Sequence, residues 1–243
     1  YKSWYINDYI SINMKENNST WDTTAITPGT IFMDKLYKGI MAHFNKVKNL
    51  EIIISGSNDH GEGEHKIYKY IRNNKVYHSD TNTIIYGLDA DLIMLTLIHT
   101  KISPNLYLFR ETPHFISSIN SNLIPEEHYV LDIYELGEKL NEEMSTKQDC
   151  VLDYIFLCFM LGNDFMPHFP VLNIRTNGIA ILLETYNHLF GKLGTSLIHN
   201  NKIQWKNLRK FVEELAKSEE KFGINEIQIK DKQEKNISRR QFK

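Results

Sequence analysis

Along this chain, apolar residues recur every three to four positions in some stretches and run together in short β-branched blocks in others. After ITPGT, the run IFMDKLYKGIMAHF places Phe32, Leu36, Ile40 and Phe44 on one face. That spacing predicts a helix over 28–45, with Thr27 as cap and Pro28 at its first position. EIIIS (51–55) predicts a short buried strand, and the amphipathic KIYKYIR a helix near 62–73. NKVYH reads as a turn. TIIYG (83–87) predicts a second buried strand, LDADLIMLTLIHT a short helix, and LYLFRE (106–111) a third strand. Helical patterns follow over 130–143, 147–161 and 175–190, and again in WKNLRKFVEEL. The final KDKQEKNISRRQFK reads as a solvated tail or broken element. The first twenty residues are polar, with a short helical pattern in WYINDYISINM and then an Asn-rich loop. Helix and strand alternate through the middle of the chain. The fold class expected is therefore α/β, a largely parallel central sheet flanked by helices, with a helical C-terminal part.

Composition narrows the chemistry. The 243 residues carry a formal net charge of −2, so bulk charge gives no argument for nucleic acid and any basic surface must be local. The only cysteines, Cys150 and Cys158, share one apolar run, CVLDYIFLCFML. They read as buried free thiols of a reducing compartment, which argues against a disulfide framework or a zinc site. No apolar stretch reaches the ~20 residues that span a bilayer; the longest candidate is interrupted by Asp153. No signal peptide is evident. The first residue is Tyr1 rather than Met, so the chain is expected to be a fragment without its natural start.

Acidic residues gather where elements begin or end. Glu62 and Glu64 lie in SGSNDHGEGEH, between the first predicted strand and its helix. Asp89 and Asp91 lie in YGLDADLIML, just past the second, and Asp164 lies in LGNDFMPHFP, just past a long apolar helix. Taken singly, each has an ordinary explanation: first-turn carboxylates suit the positive end of a helix, and an aspartate after a glycine suits a turn. Taken together, they fit the carboxyl edge of an open α/β sheet, where ligands bind. Carboxylates crowded there need cations, and all-oxygen ligands suit Mg²⁺ or Mn²⁺. Two such ions support phosphodiester displacement. His60, His65 and His168 are weaker ligand candidates, fitting loop or supporting roles better. No Walker-type phosphate loop, serine-nucleophile elbow or dinucleotide fingerprint is present.

Five blocks then share a pattern: WDTTAITPGTIFMDKL, GEGEHKIYKYIR, IIYGLDADLIMLTL, LYLFRE and DYIFLCFMLGNDFMPHFPVLNIRTNGIAILL. In this order and at this spacing, over roughly 21–190, the chain resembles the Xrn/Rat-type 5′→3′ exoribonucleases. The resemblance implies a nuclease domain of the PIN or flap-endonuclease-like superfamily, which degrades single-stranded RNA bearing a 5′ monophosphate with divalent metal. It implies that Glu62, Glu64, Asp89, Asp91 and Asp164 are the catalytic, metal-binding carboxylates, with Mg²⁺ or Mn²⁺ as cofactor. His65 and Lys66, directly after the glutamates, are candidate phosphate contacts.

The sequence also departs from the family. His60 stands where relatives usually carry a proline-containing approach. The family's leading segment, with further aspartates and the basic pocket for the 5′ phosphate, has no counterpart in residues 1–20. The expected organisation is a nuclease core over 21–200, incomplete at its start, and a charged, helical or poorly ordered extension over 201–243. Two other functions fit the same residues: a flap-type DNA nuclease, and a non-catalytic RNA-binding scaffold with a degenerate metal site. The resemblance implies a cytoplasmic or nuclear protein, with no membrane partner.

Overall fold

The computed structural model describes residues 22–111, 120–125, 127–144, 150–163, 166–169, 171–191 and 193–241. The pattern in WYINDYISINM and residue Asp164 lie outside these residues. The chain divides into two units, 1–73 and 74–243.

In the first unit, helix α1 spans Ile31–Phe44. Its cap is Thr30, whose hydroxyl accepts from the Met33 N–H at 3.3 Å. The predicted cap at Thr27 is displaced by one short turn: the Thr27 hydroxyl donates to the Thr24 carbonyl at 2.7 Å, and so belongs to the preceding turn. Residues 51–55 form no strand. Ile52 and Ile54 are half-buried while Ile53 is 62% exposed. The β-branched run is thus compatible with an extended path, but strand structure requires a neighbour to take up the ladder hydrogen bonds. Among the described residues of this unit there is no strand to supply them. Helix α2 spans Gly63–Asn73 and buries Tyr68 and Ile71, three residues apart on its apolar face.

The second unit opens with helix α3, Lys75–Asp80. KVYH is therefore helical rather than a turn, and His78 is its buried residue. A three-stranded sheet follows, β1 (Thr83–Tyr86), β2 (Leu106–Glu111) and β3 (His128–Asp132), in that spatial order. β1 and β2 are parallel, joined through helix α4 (Asp91–His99) as a crossover connection requires. β2 and β3 are antiparallel. The sheet is thus mixed rather than largely parallel. β3 occupies the start of the stretch read as helix over 130–143: HYVLD is extended, and helix α5 (Ile133–Glu143) begins only after Asp132, whose carboxylate accepts from the Glu135 N–H at 3.0 Å.

The two faces of the sheet differ. Ile85, Leu106 and Leu108 are buried toward α4 and α5. On the other face Ile84 and Tyr86 are exposed, so β1 is only half-buried, and Tyr86, Phe109 and His128 form an aromatic row with ring centroids 5.4 Å apart.

The main core lies in the helical part. α6 (Val151–Met160) and α7 (Gly178–Tyr186) pack together, with a π-helical turn at Asn187–Gly191, a hairpin of β4 (Ile198–His199) and β5 (Lys202–Ile203), and α8 (Trp205–Ala216) against α7. Leu157, Leu182, Leu197 and Phe211 are fully buried there. Tyr186, Phe190 and Phe211 pack in turn, the first pair edge to face and the second tilted, with centroids 5.4 and 6.4 Å apart. The terminal sequence read as a tail is helix α9, Glu219–Gln241. No helix among the described residues is long and apolar enough to cross a membrane.

Asp153 sits in this core and is 1% exposed. Its Oδ2 accepts from the Tyr186 hydroxyl at 2.6 Å and from the Leu197 N–H at 2.8 Å, and its Oδ1 accepts from the Ile198 N–H at 2.7 Å. The charge that breaks the apolar run of α6 therefore ties that helix to α7 and to the hairpin.

Candidate active site

The loop that carries Glu62 and Glu64 is closed by its own side chains. The Asp59 carboxylate accepts from the Ser55 hydroxyl at 2.8 Å and from the Gly56 N–H at 3.1 Å. These bonds, the Ser55 one foremost, hold its pKa below the usual carboxylate range, and the nearby Lys66 charge adds to the effect. Lys66 donates to the Gly56 carbonyl at 2.8 Å. Its ammonium thus spans the loop from the first turn of α2. Gly56 lies under the Tyr37 ring, where an added Cβ would come within 2.6 Å of a ring carbon. Gly61, at φ +99°, makes the turn that delivers the chain to Glu62. Glu62 and His65 are both exposed and 3.9 Å apart, one helical turn from each other. Glu64 lies in the first turn of α2 and is half-buried. Sequence reading missed Asp59 and the second use of Lys66. An aspartate four residues after a serine, with a glycine between them, was the available signal.

In the second unit, Asp89 and Asp91 stand at the carboxyl end of β1, where the chain turns into α4. Asp89 is exposed, and its Oδ1 accepts from the Asp91 N–H at 3.2 Å. Asp91 is the first residue of α4 and is half-buried. Gly87 admits the Leu92 side chain, which would lie 2.2 Å from a Cβ there. The helix is thereby held close against the strand end. Past α6, the Asn163 N–H donates to the Met166 carbonyl at 2.9 Å, and the Met166 N–H donates to Asn163 Oδ1 at 2.8 Å. Asp164 itself lies between these two, outside the described residues. His168 is exposed, and its Nδ1 pairs with the Phe169 carbonyl at 2.6 Å.

Among the described residues, no three His, Cys, Asp or Glu side chains converge in an arrangement that holds a metal. What the structure brings together is the pair Asp89 and Asp91; Glu62 and Glu64 lie two residues apart at the start of α2. Both pairs are all-oxygen donors at helix starts. That donor chemistry fits a hard divalent cation rather than zinc. The cysteines are poor nucleophiles. Cys150 is buried, and burial pushes the half-buried Cys158 thiol up to about 11.

Comparison with known proteins gives the family. A family model described as "XRN 5'-3' exonuclease N-terminus" matches residues 4–112, and one described as "Xrn1 helical domain" matches residues 145–243. The chain belongs to the XRN 5′-3′ exonuclease family. Among curated XRN relatives, "5'-3' exoribonuclease 2" of Candida glabrata is 33% identical over 94% of this chain and 26% of its own length. The protein of the same name from Arabidopsis thaliana is 30% identical over 93% of this chain and 27% of its own length. "5'-3' exoribonuclease 1" of Schizosaccharomyces pombe is 32% identical over 85% of this chain and 17% of its own length. The chain spans about a quarter of the length of the first two relatives.

Proposed function

We propose that this chain carries the nuclease core of a 5′→3′ exoribonuclease, which hydrolyses 5′-monophosphorylated single-stranded RNA to nucleoside 5′-monophosphates. The observation that carries the reading is the position of Asp89 and Asp91, at the carboxyl end of a strand that runs parallel to its neighbour, in a chain of the XRN family. Ligands of open α/β sheets bind at that end. The core is assigned to 21–200, as a PIN-like domain, and 201–243 to an extension.

Glu62, Glu64, Asp89, Asp91 and Asp164 would hold the Mg²⁺ or Mn²⁺ ions. Two bound ions supply a hydroxide near neutral pH and stabilise the charge on attacking and leaving oxygens. The chain's own residues set up the site. The Asp89 carboxylate, exposed and anchored to the start of α4, presents oxygen at a fixed point beside Asp91. The clasp of Asp59 and Lys66 fixes the loop that leads to Glu62 and Glu64. His65, exposed one turn from Glu62, would contact a phosphate. The protein would act in the cytoplasm or nucleus.

A nuclease assay on the protein extended to the length of its relatives tests this, using single-stranded RNA with a 5′ monophosphate, the same RNA with a 5′ hydroxyl, and a branched DNA flap, each with Mg²⁺. Stepwise loss of the monophosphorylated RNA alone is expected, and Asp89→Asn with Asp91→Asn should abolish it while leaving the circular dichroism spectrum unchanged. Flap cleavage would move the protein to DNA. Retained RNA cleavage by the folded double variant would remove these aspartates from the site. A folded protein that binds RNA and cleaves nothing would be a scaffold.

A further inference from the structure

Charge in this chain is nearly balanced, but one short surface is not. From His199 to Lys210 the sequence HNNKIQWKNLRK holds Lys202, Lys206, Arg209 and Lys210 and no carboxylate. All four cations and His199 are exposed. In their midst Trp205 is 71% exposed at the first position of α8, while the opposite face of that helix buries Phe211 and Leu215. A lone exposed tryptophan is ordinary. One flanked in sequence by exposed cations, without a carboxylate for several residues on either side, has the composition of a surface that binds phosphates and bases.

The surface is also fixed in shape. Asn200 and Asn201, at φ 50° and 57°, form the two-residue turn that a tight hairpin requires. The Gln204 N–H donates to the Leu197 carbonyl at 2.8 Å, and its side-chain amide donates to the Lys202 carbonyl at 3.1 Å, which joins the hairpin to α8. Asn207 donates to the Ser196 carbonyl at 2.8 Å. Trp205 therefore stands at the fixed junction of the hairpin that carries Lys202 and the helix that carries Lys206. Arg209, one turn beyond Trp205, pairs with Glu213 at 2.8 Å, so the carboxylate nearest in sequence is already neutralised. Lys206 and Lys210 are one turn apart and lie side by side.

We infer that this surface binds single-stranded RNA, with a base stacked on Trp205 and the backbone phosphates on Lys202, Lys206 and Lys210. The inference rests on the exoribonuclease reading for the choice of RNA as the polyanion. It assigns the chain a second contact with its substrate, beyond the acidic residues. Base stacking on an exposed aromatic residue tolerates any sequence, as an enzyme that degrades RNA regardless of sequence requires.

The test uses the chain with Trp4→Phe and Trp21→Phe, which leaves Trp205 as the single tryptophan. Oligouridylate is titrated in EDTA, so that binding is read without cleavage, with inorganic polyphosphate as the control polyanion. RNA should quench the Trp205 emission and polyphosphate should not. In the wild-type background Trp205→Ala should weaken RNA binding about tenfold and Trp205→Phe much less. Lys206→Glu with Lys210→Glu should weaken it too, and should flatten the slope of log K against log salt by about 0.7 for each phosphate that is no longer neutralised. RNA binding without quenching, unchanged in Trp205→Ala, would overturn the inference and leave the enzyme reading intact. A wild-type chain that binds no RNA would overturn both.

Discussion

Asp153 offers the sharpest test of how this fold is held. Its two oxygens accept from the buried Tyr186 hydroxyl and Leu197 N–H and from the half-buried Ile198 N–H. Asp153→Ala leaves all three without this acceptor. Each orphaned buried donor costs about 1–3 kcal/mol, and loss of the desolvated charge offsets part of the sum, so the net destabilisation is roughly 3–5 kcal/mol. Asp153→Asn is the finer probe. The amide oxygen can keep the two donors now on Oδ2, but the amide nitrogen then faces the Ile198 N–H. One charge-assisted bond is lost and two donors oppose each other, a cost of about 1.5–3 kcal/mol. For a chain of this size that lowers the melting temperature by roughly 4–10 °C. Tyr186→Phe removes one donor and leaves the two backbone bonds, at about 1.5 kcal/mol. Scanning calorimetry of the wild type, both single variants and the Asp153→Asn, Tyr186→Phe double variant gives each cost and their coupling. An Asp153→Asn protein that melts within a degree of wild type would refute the anchor, as would zero coupling to Tyr186.

Two further contacts can be probed by substitution. Gly56→Ala pushes a methyl group into the Tyr37 ring and should cost about 1–3 kcal/mol in urea unfolding. Tyr37→Ser should erase that cost, so a double variant less stable than Tyr37→Ser alone would show the strain lies elsewhere. The Cys158 thiol titrates near 11 in the folded chain against 9.0 when exposed, because burial disfavours the thiolate. Its folded value is raised, so its contribution is complete below pH 9 and is lost as pH rises through 11. The urea midpoint should fall across that interval, and Cys158→Ser should flatten part of the fall. An unchanged slope in that variant would mean the thiol is not what burial perturbs.

The legible parts of this fold are those where one local signal suffices. LDADLIMLTLIHT and LYLFRE have the length and residue types of a short helix and a strand, and they form α4 and β2. Other segments depend on neighbours. EIIIS has strand propensity but no pairing strand within its unit among the described residues, and it stays irregular. TIIYG is a strand, yet nothing in its sequence says that only one face is covered, leaving Ile84 and Tyr86 exposed. HYVLD merges with the helix after it in the sequence pattern because apolar residues continue through both; the boundary lies at the capping Asp132. The site is legible as residue types at element junctions, and Asp89 and Asp91 do sit together at one. Asp153 is visible only as an interruption in an apolar run, because its partners are 33 to 45 residues away.

That separation sets an order of events during synthesis. When α6 leaves the ribosome, its apolar side chains are ready to collapse, but the carboxylate of Asp153 has no donors to receive. Tyr186 arrives 33 residues later, and Leu197 and Ile198 follow at 44 and 45. At translation rates of about 5–20 residues per second, the carboxylate stays in water for roughly 2–9 s. Through that interval, sealing the apolar face of α6 would bury the carboxylate without these partners, which is costly. Emergence of the hairpin supplies the last two of these donors, and only then can the carboxylate be buried with all three partners.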